Sequence, residues 1–203
     1  MIASDIILRF ELQTDDSTDL SSDEELSLLN KVYTKICADR PWEFLKKEGT
    51  GSTSTTLPYV ALPSDFQYVL SNNILENDNI ASVFVGTDFS PYKIISWSDR
   101  RNYRNQDGYA YIDLPNSRLV FTLQPTASKT IEFDYVSTPP TLTLSDTPLI
   151  PDRFQDMIYH GMMIEDTIIQ QSDKAKSYAP ENQSKYKSYF DDMCYWNANL
   201  IIM

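Results

Sequence analysis

LIPDRFQDMIYHGMMIEDTIIQQSDKAKSYAPENQSKYKSYFDDMCYWNANLIIM, residues 149–203, reads as two amphipathic helices around a polar turn. Ile150-Pro151-Asp152-Arg153-Phe154 opens the first. Phe154, Met157, Ile158, Gly161, Met162, Ile164, Ile168 and Ile169 then recur at helical spacing. Pro180, a residue type favoured in a first helical turn, predicts the start of the second helix. Tyr186, Tyr189, Phe190, Met193, Cys194, Trp196 and Leu200 line it. A Pro-rich strand exit, Tyr135-Val136-Ser137-Thr138-Pro139-Pro140, stands just before the pair. The stretch carries no catalytic signature, so it informs on architecture rather than on a reaction.

Upstream, Ser4 to Leu12 is periodic enough for one or two helical turns, and Thr14 to Ser22 reads as an acidic loop. Ser21 or Ser22 caps a helix whose first turn carries Asp23, Glu24 and Glu25, carboxylates that suit the positive end of the helix dipole. Leu26, Leu29, Val32, Tyr33, Ile36 and Cys37 form its apolar face; Pro41 kinks or restarts it, and it is expected to end near Gly49. Thr50 to Thr56 reads as a Ser/Thr/Gly linker. Beyond it the period becomes strand-like: Tyr59–Leu62, Phe66–Leu70, Ala81–Val85, Tyr92–Trp97, a Tyr109–Leu114/Arg118–Leu123 hairpin and Lys129–Val136. Ser98 to Tyr103 is expected as a short capped helix. The expected fold is α+β: a helical bundle from both chain ends with an inserted antiparallel β-rich domain. Its parts are residues 1–50, the inserted domain 51–148, and a helical hairpin 149–203.

A chain of 203 residues with 41% hydrophobic content has enough apolar surface for a packed core. Five Gly nearly exclude Gly-rich phosphate loops. A net charge of −12 argues against a protein that grips nucleic acid by its phosphates. Cys37 and Cys194 each sit among apolar residues in helical pattern and read as buried free thiols, with a disulfide or metal site as the alternative. The start, Met1-Ile2-Ala3-Ser4-Asp5, has no basic leader, and no apolar run is long enough to span a membrane, so synthesis in the cytoplasm and no membrane partner are expected.

Candidate chemistry is sparse. The single histidine, His160, cannot build a metal cluster alone and reads as a helix-face or interface residue. Asp191-Asp192 and Glu165-Asp166 are adjacent in helices, so each pair splays over a solvated surface. Asp107-Gly108 lacks the alternating ligands of a calcium loop. Met157, Met162 and Met163 read as core. No catalytic residue, metal or cofactor is expected. Arg100, Arg101 and Arg104, with Tyr103 and Tyr109, form the one basic cluster; Arg and Tyr together suit a partner's acidic surface or, less well in so acidic a chain, nucleic acid.

Five segments in order resemble phage head-to-tail adaptor proteins of the tail tubular protein A type. Ala61-Leu62-Pro63-Ser64-Asp65-Phe66 resembles an "LPxDF" segment, and Ile94-Ile95-Ser96-Trp97-Ser98-Asp99 a strand running into a short helix. Leu119-Val120-Phe121 to Pro125 resembles "L-x-L-x-P", Phe133 to Pro140 "YY-x-x-P", and Ile150 to Phe154 "lPxxf". The resemblance spans roughly Ser22 to Met193. It implies a structural protein of the virion neck, commonly a ring of twelve copies, joined to the portal and to tail or nozzle proteins. Genomic DNA would pass through the lumen without tight binding, past an acidic wall. The apolar end, Trp196, Leu200, Ile201, Ile202 and Met203, is then expected to dock on the portal or a neighbouring subunit. Two other readings stay open: a carbohydrate- or receptor-binding virion module on the β domain, and a carboxylate-dependent cell-wall hydrolase.

Overall fold

The computed structural model describes residues 1–14, 20–70, 82–86, 91–170 and 173–200. They divide into a helical unit, Met1–Leu45 with Pro139–Met203, and a sheet unit, Lys46–Thr138.

In the helical unit, α1 (Ala3–Thr14) buries Ile6, Ile7 and Phe10. Ser21 stands at the N-cap of α2 (Ser22–Ala38), and the Glu24 carboxylate accepts from the Ser21 backbone N–H at 2.8 Å and from its hydroxyl at 2.7 Å. The buried face of α2 holds Leu28, Leu29, Val32, Tyr33, Ile36 and Cys37, with Leu28 where Leu26 was expected. The acidic loop before it lies largely outside the described residues.

The expectation that α2 continues past Pro41 to Gly49 is corrected: it stops at Ala38. Pro41 disfavours helical geometry at Arg40 and cannot donate to a preceding carbonyl. Fully buried Trp42 folds back instead, its indole N–H donating to the Ile36 carbonyl at 2.8 Å, which satisfies one of the carbonyls left at a helix end.

Past the sheet unit, the returning chain is stitched to the first helices. Asn30 donates to the Leu142 carbonyl at 3.0 Å and accepts from the Leu142 N–H at 2.8 Å. The backbone N–H groups of Ala3 and Ser4 reach the carbonyls of Asp146 and Leu144. A 3₁₀ turn (Asp152–Phe154) leads into α3 (Asp156–Gln170), whose Met157, Ile158, Met162 and Met163 are buried. Ile168 and Ile169, expected on the buried face, are 63% and 52% exposed. The last turn of α3 runs past Glu165, the residue gripped from α2 by Lys31 at 2.8 Å and Lys35 at 3.2 Å.

Helix α4 (Asp173–Leu200) also differs from expectation, since it begins before Pro180 and carries that proline inside. Pro180 gives up one helix hydrogen bond. Contacts just past it hold the helix: Asn182 is buried and donates to the Tyr178 carbonyl at 3.0 Å, bridging the proline, and Tyr186 lies against Gly161. Further along, Phe190 meets Trp42 edge to face at 6.0 Å, and the Asn197 side chain accepts from the Glu43 N–H at 2.8 Å.

Among the described residues the sheet unit has eight strands: β1 (Lys46–Ser52), β2 (Tyr59–Ala61), β3 (Phe66–Val69), β4 (Ser82–Val85), β5 (Pro91–Ile95), β6 (Tyr109–Asp113), β7 (Arg118–Phe121) and β8 (Thr130–Ser137). Their order is β1-β8-β4-β5-β6-β7-β2. On its other side β8 is shared, β4 pairing at Ile131 and Glu132, and β3 at Tyr135 to Ser137. The class is α+β as expected, with two refinements. First, β1 occupies the stretch read as helix end and linker. Its Gly49 sits opposite Phe133, whose ring fills the place of a side chain: a Cβ at Gly49 would lie 2.5 Å from it. Second, the sheet is mixed, because β5 and β6 run parallel (Lys93↔Tyr109, Ile95↔Tyr111). A two-residue turn cannot join parallel strands; they need a long crossover, here residues 96–108.

The core of this unit is Leu62, Val83, Val85, Ala110, Leu119, Phe121, Ile131, Phe133 and Tyr135. The "LPxDF" segment serves it structurally. Leu62 is buried, and Phe66 stacks on Tyr135 at 5.7 Å. Asp65 accepts from Lys47 at 2.6 Å and from the Tyr135 hydroxyl at 2.9 Å, tying β1 and β8 to the turn. Lys47 is the main reason the Asp65 carboxyl is held below its ordinary range.

Candidate partner-binding surfaces

The basic cluster lies on the β5–β6 crossover. A short 3₁₀ turn (Asp99–Arg101) stands where a capped helix was expected, and Ser96 rather than Ser98 serves its start, accepting from the Asp99 N–H at 3.3 Å. Arg100 turns back over Trp97: its guanidinium carbon is 3.3 Å from the indole centroid, and it donates to the Trp97 carbonyl at 2.6 Å. Trp97 is 55% exposed. Tyr103 packs on Tyr109 of β6 with ring centroids 4.4 Å apart.

The rest of the crossover is pinned to the sheet. Asn105 at φ 64° donates its N–H to the Thr122 carbonyl, the Thr122 hydroxyl donates to the Gln106 carbonyl at 2.6 Å, and the Tyr92 hydroxyl donates to Asp107 at 2.6 Å. Arg101 and Arg104 are exposed and form no ion pair among the described residues. All four residues singled out from sequence, Arg100, Arg101, Tyr103 and Arg104, thus share one rigid crossover.

The apolar C-terminus divides differently. Trp196 packs on its own unit, 5.7 Å from the Phe154 ring, with Arg153 over it at 5.2 Å. Leu200 is 42% exposed, while Ile201, Ile202 and Met203 lie outside the described residues.

His160 is 4% exposed and sits between α3 and α4, its Nδ1 2.8 Å from the Asn182 carboxamide oxygen and its ring stacked with Tyr189 at 5.8 Å. Burial is the main cause that lowers its pKa below the ordinary 6.5. Beside it opens a polar cavity of about 350 Å³, lined among others by Arg9, Asp156, Tyr159, Glu181 and Lys185. Its charges are matched in pairs: Arg9 with Asp156, and Lys185 with Glu181 at 2.6 Å. Lys185 holds Glu181 below its ordinary range, the opposite of what a general acid needs. Sequence reasoning missed this arrangement because its members come from α1, α3 and α4, and no local spacing joins them.

The other candidates are structural. Cys37 and Cys194 are both free; burial pushes the Cys37 thiol up to about 12, so it stays protonated. Asp191 and Asp192 are exposed on α4. Among the described residues no group of three or more His, Cys, Asp or Glu could hold a metal, and no helix is long and apolar enough to cross a membrane.

Charge is divided unevenly. The helical unit has nineteen Asp and Glu against nine Lys and Arg, a net −10; the sheet unit has ten against eight, a net −2.

A family profile described as SU10 adaptor protein matches residues 1–198. No curated protein matches the chain.

Proposed function

The chain belongs to the SU10 adaptor protein family, phage adaptors with a structural role, and on that premise we propose that it is a subunit of the head-to-tail adaptor ring at the virion neck, joining the portal to the tail. The observation that carries this reading is the extent of the match. Residues 1–198 take in both units, so the helical frame and its inserted sheet are matched together.

The mechanism is geometric and electrostatic. Around a ring, commonly of twelve copies in tail tubular protein A-like adaptors, the helical units stand side by side and present acidic surface to the lumen. Phosphates moving past a wall of net like charge find carboxylates in excess of cations, so little is gained by counterion exchange and DNA slides without adhering. The nearly neutral sheet unit, with its arginine crossover, receives protein partners. Leu200 and the three residues after it form the segment that docks on the portal. Among the described residues neither the carbohydrate-binding nor the hydrolase alternative gains support: one cavity in the sheet unit, lined by residues such as Tyr92, Phe121 and Lys129, does not include Trp97, and the carboxylates beside His160 are paired.

Light scattering and negative-stain images of the purified subunit, with and without its portal, test the proposal. The subunit should be monomeric alone, since a net charge of −12 opposes self-association at low salt, and should form rings when portal is added. A subunit that stays monomeric beside assembled portal refutes it.

A further inference from the structure

Three features of the β5–β6 crossover mark it as a docking surface. It is fastened through Tyr103 to Tyr109 of β6, and through Asn105 and Gln106 to Thr122 just past β7. It exposes a tryptophan already clamped by Arg100, so little side-chain freedom is lost on contact. It adds two further arginines without ion pairs among the described residues, Arg101 and Arg104. Tryptophan and arginine are the residue types that dominate binding energy at interfaces.

A surface of matching chemistry lies in the helical unit. On α4, Asp191 and Tyr195 stand one turn apart, on the face opposite the buried Met193 and Asn197, with Asp192 beside them. Tyr195 is 74% exposed, and neither aspartate has an ion pair among the described residues. An aromatic ring flanked by two carboxylates complements a crossover that carries an exposed indole and exposed arginines. The uneven division of charge between the units points the same way, because the arginines meet a net −10 on a helical unit and only −2 on another sheet unit.

We propose that the crossover of one copy docks on the outer face of α4 of the next copy, Arg101 and Arg104 meeting Asp191 and Asp192, and Trp97 meeting Tyr195. The inference rests on the ring reading above and deepens it. The two patches differ, so the contact is head-to-tail, the kind that closes into a ring when the rotation between copies permits.

The test compares assembly on purified portal, by negative-stain imaging, of four proteins: wild type, Arg101→Glu/Arg104→Glu, Asp191→Lys/Asp192→Lys, and the variant with all four changes. The substituted side chains are exposed, and an unchanged circular dichroism melt verifies the fold of each. Complete rings should fall at least about tenfold for each two-site variant and return in the four-site variant, where reversed charges face each other again. Trp97→Ala should also deplete rings. Full rings from either two-site variant, or no recovery in the four-site variant, overturn the inference while leaving the ring reading intact. So does a loop variant that assembles normally but loses duplex DNA in a gel shift, which would make the crossover a DNA contact. Failure of wild type to form rings on the portal overturns both.

Discussion

Gly161 offers a sign test of how α2, α3 and α4 meet. A Cβ built there would lie 2.4 Å from Val32 Cγ1 and 3.3 Å from Tyr186 Cε2, whereas carbon atoms rest about 3.5–4.0 Å apart. Two effects compete in Gly161→Ala. Alanine in a helix interior is favoured over glycine by about 0.8–1 kcal/mol. Against it, inserting a methyl into a packed site costs typically about 1–3 kcal/mol. Val32 is 2% exposed and β-branched, so it has little rotamer freedom with which to retreat, and the upper part of that range applies. The net expectation is a destabilisation of about 1–2 kcal/mol, or about 2–8 °C in melting temperature for a chain of this size. Circular dichroism at 222 nm, which follows the helices, is the assay. Val32→Ala alone should cost about 1.5–3 kcal/mol through lost burial and a cavity. Combined with Gly161→Ala it should cost less than the two single changes added, because the truncated side chain makes room. A Gly161→Ala protein that melts higher than wild type, or strict additivity in the pair, would refute the close approach of these helices.

Three other outcomes follow from the structure. His160 titrates lower in the folded chain than in the unfolded one, so its stabilising effect is complete above about pH 6.5 and fades as pH falls through the folded value. Between pH 7.5 and 5.5, above the range where Glu165 and its kin protonate, wild type should therefore lose more melting temperature than His160→Gln; equal losses would place the sensitivity elsewhere. Truncation after Asn199 should leave the melt unchanged and weaken recruitment to portal, whereas truncation after Trp196 should also lower stability by about 1–3 kcal/mol, because the Glu43 N–H loses its Asn197 acceptor; recruitment of the shorter chain at wild-type level would dismiss the docking role. Duplex DNA should bind only weakly at physiological salt, given a net charge of −12, and submicromolar, salt-sensitive gel shifts abolished by Arg100→Ala and Arg101→Ala would contradict the sliding-wall mechanism.

Elements with a clear period were legible in the sequence. The alternation of Ile131, Phe133 and Tyr135 stands as read, as do most of the α2 face and the existence of two closing helices, though not their bounds or every buried position. What was missed was decided by tertiary partners. Lys46–Ser52 straddles the stretch read as helix end up to Gly49 and as linker from Thr50, yet it becomes β1 because Phe133 and Ile131 of β8 cover its two glycines. Pro180 looks like a helix start, yet α4 runs through it, held just beyond the proline by contacts of Asn182 and Tyr186 with α3. The parallel β5–β6 pair has no local signature, since strand direction depends on where the crossover returns. The basic cluster itself was legible because its residues are consecutive on one crossover. Its counterpart on α4 was read only as a solvated acidic pair, and the exposed Tyr195 between those charges became visible only when burial was known.

The strands that open and close the sheet unit are neighbours: Lys46 of β1 is paired with Val136 of β8. The sheet unit therefore begins and ends on adjacent strands, with Lys46 and Val136 roughly one strand spacing, about 5 Å, apart. A segment bounded in that way behaves as a cassette. It can be exchanged for another of different length or shape while the frame needs only two adjacent attachment points. Changes confined to the sheet, from its crossover to its loops, could then accumulate without disturbing the helical frame.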